Sequence, residues 1–233
     1  MRLCVIPARG GSKRIPRKNI KEFYGKPMIA WAIEVALNSR CFDNVLVSTD
    51  DEEIKTVAEQ YSAEVPFMRP AGLADDYAGT ISVVRHTIRW FDSRGQLPDI
   101  VCCLYPTAPF VTAESISTAL HQLLKTESEF VFPVTRYPFP IQRAIWIDER
   151  RNVQMFDPKM FSKRSQDLNE AYHDAGQFYI GKATTWLKRD ELFTSGSSVI
   201  VLPRYCVQDI DTVEDWQYAE LMFAAQRTEY QKQ

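Results

Sequence analysis

One rhythm constrains this sequence more than anything else in it. Up to about residue 134, short apolar runs alternate with longer stretches whose apolar residues return at helical spacing. Residues 3–6, 45–47, 100–104 and 130–134 read as buried strands. Between them, residues 27–37 are rich in good helix formers. Ser48, Thr49 and Asp50 form a helix start with Asp51, Glu52 and Glu53 in its first turn, where acids favour the helix dipole. Ile81, Val84, Ile88 and Phe91 recur at helical spacing. Thr112 is expected to cap a helix whose inner face is Ile116, Ala119, Leu120, Leu123 and Leu124. The β-α-β-α-β order predicts an α/β chain with a mostly parallel sheet covered by helices on both faces.

The rhythm then breaks. Residues 136–172 hold Pro138, Pro140 and Pro158, a hairpin-like stretch over 144–156 and a polar run over 162–169. This segment reads as an arm inserted in one domain made of residues 1–135 and 173–233. Strand signals return at 177–180 and 199–202. The last helix is expected from Thr212, with Asp215 at capping-box spacing, burying Trp216, Ala219, Met222 and Phe223.

Charge is unevenly placed. The chain has a net charge of -2, yet residues 1–26 carry eight basic side chains against one acid, Glu22. A basic head on an acidic body does not suit a general nucleic-acid binder, which is basic over a whole face; it suits a local anion site such as one for polyphosphate. No apolar run is long enough to span a bilayer, and Arg9 breaks the first run before a secretory leader could form. Cys4, Cys41, Cys102, Cys103 and Cys206 are odd in number with no C-x-x-C spacing, which suits reduced thiols in the cytoplasm.

Four stretches carry candidate chemistry. Residues 7–19 (PARGGSKRIPRKN) follow the first strand, where a parallel sheet faces its ligand crevice. Gly10 and Gly11 would let the backbone approach a ligand. Arg9 offers a planar fork for phosphate oxygens, and Lys13 and Lys18 offer point charges. The spacing is neither a Walker A loop nor a dinucleotide fingerprint. Asp209 and Asp211 stand two apart, so an extended backbone puts both on one face. Such a pair fits Mg²⁺ held jointly with substrate phosphates, or Asp211 belongs to the N-cap region of the last helix. Residues 172–179 (YHDAGQFY) mix hydrogen-bonding groups with flat apolar faces, as a sugar pocket requires; the alternative is a core histidine at position 173. Residues 69–80 form a loop into a helix, in which Arg69 and the helix start could hold an anion or a base edge, or Thr80 is simply a cap. The three histidines lack metal-ligand spacing, and no G-x-S-x-G elbow appears.

Taken together, the first of these stretches (Ile6 through Lys13, with Lys18 and Asn19), VSTD at 47–50, RPA at 69–71, YPTAP at 105–109 and QDIDT at 208–212 resemble the CMP-sialic acid synthetase group of cytidylyltransferases, nearly end to end. FPIQR at 139–143 and YHDAGQ at 172–177 resemble its pseudaminate branch. The resemblance implies a Rossmann-like, three-layer nucleotide-diphospho-sugar transferase fold with a small dimerisation arm that helps close the partner subunit's sugar site. It implies transfer of CMP from CTP to a nonulosonic acid with Mg²⁺ as cofactor, in a cytoplasmic homodimer whose product serves glycosylation of flagellin or surface polysaccharide. By that resemblance Ala8, Arg9, Gly10, Gly11, Ser12, Lys13, Lys18 and Asn19 would hold the nucleotide with Arg69 and Thr80. Asp209 and Asp211 would bind the metal, and Arg9, Lys18 and Asp211 would be catalytic. Tyr105, Gln142, Arg143, Arg164, Gln166, His173 and Gln177 would face the sugar. Sialate synthetases carry Gln at the position of Tyr105 and Arg at that of His173, and both departures point away from N-acetylneuraminate. Legionaminate and sialate synthetases are the neighbouring readings. A non-catalytic nucleotide-binding regulator is the alternative of another class, which would have no need of the Asp209/Asp211 pair.

Overall fold

The computed structural model describes residues 1–74 and 79–230, the last three by backbone alone. In chain order the strands are β1 (Arg2–Pro7), β2 (Glu22–Phe23), β3 (Lys26–Pro27), β4 (Asn44–Ser48), β5 (Ile100–Leu104), β6 (Phe130–Arg136), β7 (Ile145–Ile147), β8 (Val153–Met155), β9 (Tyr172–Asp174), β10 (Phe178–Lys182) and β11 (Ser198–Leu202). The helices are α1 (Met28–Ser39), α2 (Glu52–Gln60), α3 (Thr80–Asp92), α4 (Ala113–Lys125), α5 (Ala183–Lys188) and α6 (Val213–Tyr230).

The central sheet has the order β11-β6-β10-β5-β1-β4, with β9 also paired to β6. Strands β4, β1, β5, β6 and β11 run one way; β10 and β9 run the other. The sheet is therefore mostly parallel in direction, but β10 sits between β5 and β6 and makes it mixed. Alternation along β1 sorts the two faces. Cys4 and Ile6 pack with α1, α2 and α4, while Leu3 and Val5 pack with α3 and α5. These are the two outer layers. A third cluster lies at one end, where Trp216, Ala219 and Phe223 of α6 meet Ile15, Phe23, Met28, Phe110 and Ile210. It seats the base of the 7–19 loop on α6.

Local sequence explains the ends of these elements, with some corrections. Asp51, expected inside the first turn of α2, is its N-cap and accepts from the Glu53 and Ile54 backbone N–H groups. Thr112 caps α4 in a capping box with Ser115. Leu124, expected on the inner face of α4, is 53% exposed, because the buried stripe ends at Leu123. Thr212 and Asp215 form the expected box at the start of α6, each donating its backbone N–H to the other's side chain. Strands β7 and β8 pair as the hairpin expected within 144–156. The chain leaves the sheet at Arg136 and returns at Tyr172, and these two residues are register partners.

Candidate functional site

A cleft of about 660 Å³ opens beyond the carboxyl ends of β1, β4 and β5, where the loops of an α/β sheet gather ligands. Arg9, Ser12, Lys13, Lys18, Asn19, Arg69, Thr80, Tyr105 and Asp211 all line it, together with Arg14. The N-terminal cations and the late acid thus meet in one place, although about 200 residues separate them in the chain.

The loop is held at many points. Buried Ala8 donates its N–H to the Ser48 carbonyl (3.0 Å). Gly10 N–H points at Asp50 Oδ1 (3.2 Å). Buried Asn19 donates from Nδ2 to the Arg9 carbonyl (2.9 Å), closing the loop across its base. The two glycines differ. A Cβ on Gly10 would collide with the Asp51 carboxylate, whereas a Cβ on Gly11 would meet nothing within 4 Å. The need for glycine at position 10 comes from a neighbouring side chain, rather than from the ligand approach expected of both.

Asp211 is bound to the loop. Its Oδ1 lies 2.8 Å from Arg14 and 3.4 Å from Lys18 Nζ, and Lys18 also donates to the Ile210 carbonyl (2.6 Å). The helix-cap alternative for Asp211 gives way, because Thr212 and Asp215 cap α6 and leave the Asp211 carboxylate to the cations. Asp209 is an exposed residue of the adjoining cavity, of about 920 Å³, which His173 and Asp174 also line. Desolvation of its carboxyl, and then the charge of Asp211, pushes its pKa up. The two carboxylates line adjoining cavities and repel each other, and their oxygens are of the kind a hard cation takes. Among the described residues no group of three or more His, Cys, Asp or Glu could hold a metal alone, so substrate or water oxygens would complete such a shell.

Arg69 is buried, donating to the carbonyls of Ser48 (2.8 Å) and Leu73 (3.3 Å), and its Nε has no partner. Burial lowers its pKa, with Asp50 opposing. Thr80 is not a cap. Gly79 is the N-cap of α3 without a side-chain bond, and Thr80 Oγ1 instead lies 3.0 Å from the Tyr105 hydroxyl. Residues 75–78, between Arg69 and Thr80 in the same expected loop, lie outside the described residues. Burial pushes Tyr105 up to about 12. The Tyr105 ring packs edge-on to Tyr179 (5.7 Å), whose hydroxyl donates to Asp174 Oδ2. Burial raises the pKa of Tyr179 as well. This Thr80–Tyr105–Tyr179–Asp174 chain joins the two cavities. Its second half comes from the 172–179 stretch singled out in the sequence, although the pairing of Tyr179 with Tyr105 and Asp174 was not foreseen.

The other sugar-side candidates are dispersed. His173 is half-buried, meets the Tyr137 ring at a tilt (4.8 Å) and places Nδ1 2.9 Å from the Asp174 carbonyl, so it is not a core histidine. Gln177 is buried, donates to the Cys206 carbonyl (2.7 Å) and lines neither cavity. In the arm, Gln142 donates to the Asn169 carbonyl, Arg143 to Lys163 and Ser165, and Arg164 pairs with Asp167. Gln166 is exposed, and none of these four lines either cavity.

A family model described as cytidylyltransferase matches residues 3–228. Over 95% of its length the chain is 50% identical to a Campylobacter jejuni protein named pseudaminic acid cytidylyltransferase, 95% of which is covered. It is 34% identical to the CMP-N,N'-diacetyllegionaminic acid synthase of Legionella pneumophila, with 94% of each chain covered. Among solved structures, a CMP:2-keto-3-deoxy-manno-octonic acid synthetase complexed with CTP superposes with a TM-score of 0.70, covering 97% of this chain and 99% of its own. At 16% identity the likeness is one of fold.

Proposed function

The chain belongs to the cytidylyltransferase family, and on that premise we propose that it transfers CMP from CTP to the anomeric hydroxyl of pseudaminic acid. The observation that carries this reading is the 50% identity, across nearly the whole of both chains, to a relative of that activity. The cleft supports it with a cationic loop and a carboxylate facing one crevice. Arg9, Ser12, Lys13 and Lys18 bind the triphosphate, and Arg69 and Thr80 place the cytidine. Asn19 keeps the loop closed beneath it. The acceptor oxygen attacks the α-phosphorus in line, an O–P bond forms, the bond to the β-phosphate bridge breaks, and pyrophosphate leaves as the hydroxyl proton is lost. Lys18 and Arg9 stabilise charge on the phosphates through this displacement.

Asp211 and Asp209 would hold Mg²⁺, which when bound neutralises charge on phosphate oxygens. The arm, 136–172, would dimerise with a second copy and bring its arginines and glutamines to the partner's acceptor site. The aromatic Tyr105 and the imidazole of His173 suit a sugar with an extra acylamino group and a terminal methyl. A cytoplasmic setting is in keeping with the five free cysteines. The test is pyrophosphate release with CTP and, side by side, pseudaminate, legionaminate and N-acetylneuraminate. Preference for pseudaminate is expected. Preference for either other acceptor would reassign the substrate, and no release with any of them would remove the enzymatic reading.

A further inference from the structure

The 7–19 loop concentrates positive charge in few residues, and like charges spread a loop unless something holds it. Its inner limb is tied to the sheet by Ala8 and closed across its base by Asn19. Its outer limb is tied by carboxylates: Asp211 meets Arg14 and Lys18, and Asp51 meets Arg17. Asp51 Oδ1 accepts from the backbone N–H groups of Glu53 and Ile54 (3.0 Å each), fixing the start of α2. The same carboxylate receives the Arg17 guanidinium as a two-pronged fork at 2.5 and 2.9 Å. Arg17 reaches Glu53 as well (2.5 Å). Arg17 takes φ of 55°, a left-handed conformation costly for any side chain with a Cβ, so the fork compensates a strained backbone. Gly10 rests against the same carboxylate, nearest its Oδ2, so closely that a Cβ there would collide.

One side chain therefore holds Arg17 at one end of the segment from Gly10 to Arg17 and packs against the other, where Asp50 receives the Gly10 N–H. Between those ends lie Ser12, Lys13 and Arg14, and Lys18 follows at once. All four line the cleft, while Asp51 and Arg17 do not. We propose that Asp51 and Arg17 are a positioning pair: they set the spacing of the phosphate-binding cations without touching substrate. The inference rests on the reading of the cleft as the CTP site.

A helix cap alone would explain Asp51 but not Arg17, and the two roles separate by substitution. Asn caps helices about as well as Asp, so Asp51→Asn keeps the α2 start and removes the charge that orients Arg17. Arg17→Ala removes the fork from the other side, and Arg17→Lys restores charge without the fork. The measurements are CTP affinity by calorimetry, KM for CTP and for acceptor, and thermal unfolding, all on the full-length protein. The expected result is a rise in the CTP Kd and KM of about tenfold in Asp51→Asn and in Arg17→Ala. Arg17→Lys should recover part of that loss. Acceptor KM should stay within about twofold, and the double variant should be no worse than either single one, as expected of two groups acting as one unit. If Asp51→Asn does not fold, Arg17→Ala alone decides. Wild-type affinity for CTP in both Asp51→Asn and Arg17→Ala, or additive losses in the double variant, would overturn the positioning pair and leave the nucleotide site standing. A wild-type protein that binds no CTP would overturn the site and the pair together.

Discussion

Residues 8–19 and residues 136–172 are both thrown off the same sheet, and they are secured in opposite ways. The first is bound to Ser48, Asp50, Asp51, Ile210 and Asp211, and its base lies on the apolar cluster of α6. The second makes its hydrogen bonds mostly within itself and leaves its large side chains in solvent: Phe139 is 79% exposed, Phe161 77% and Phe156 70%. Apolar exposure on that scale marks a contact surface. The difference teaches where the site is complete. The cations and the acid of the cleft are brought together within one chain, whereas Gln142, Arg143, Arg164 and Gln166 on the arm line neither of the two large cavities. That is the arrangement expected if a second copy supplies them.

The largest test of this contrast is Asp211→Asn. It should lower kcat by about 10²- to 10³-fold in a pyrophosphate assay, because it removes charge at the displacement itself. Thermal unfolding should barely move, since Thr212 and Asp215 hold the cap. A loss confined to stability would break the assignment.

The arm comes next. Phe156→Asp with Phe161→Asp should give a monomer by light scattering and cut turnover by about 10²-fold through the acceptor, with CTP affinity unchanged within about twofold. Equal loss of CTP binding would mean that the two halves are not independent.

A smaller effect is expected of Tyr179→Phe. Asp174 already has one buried oxygen without a partner, and this change strips the other. A cost of about 1–2 kcal/mol should lower Tm by about 5 °C, with KM for acceptor shifted more than KM for CTP. An unchanged Tm would show that the hydroxyl chain joining the two cavities carries no stability.

The smallest effect concerns acid. The Arg17 guanidinium beside Asp51, helped by two backbone N–H groups, holds this carboxyl at about 2, against 3.8 ordinarily. Its folded pKa is depressed, so its contribution is full above the ordinary value and is lost as pH falls through about 2. Urea unfolding of Asp51→Asn should therefore decline less steeply than wild type between pH 4 and pH 2, by of order 1 kcal/mol. Parallel curves would mean that the pair on the loop does not stabilise the fold.

Much of the architecture was legible because periodicity and turn chemistry are local. Residues 100–104, the Thr112 and Thr212 caps and the 144–156 hairpin follow from neighbours a few positions away. The reversal of β10 was not legible, since direction within a sheet depends on a return path and not on the strand's own residues. In the site, glycines and basic side chains after a strand pointed to the loop, and Asp211 to its acidic partner. What holds the loop was hidden. Arg17 looked like one more cation, because its partner lies 34 residues away in sequence. Thr80 looked like a cap, because the hydroxyl it meets belongs to Tyr105 on another element. Gln177 looked like a ligand because polar residues crowd around it, yet its amide is engaged inside the protein.

Whether the N-terminal cations and Asp211 serve one triphosphate is decided by a crystal structure with a non-hydrolysable CTP analogue and Mg²⁺. The phosphates should lie between Arg9, Lys13, Lys18 and Asp211, with the metal on the carboxylate side. A nucleotide bound in the cavity beside His173, or on the outer surface, would contradict it.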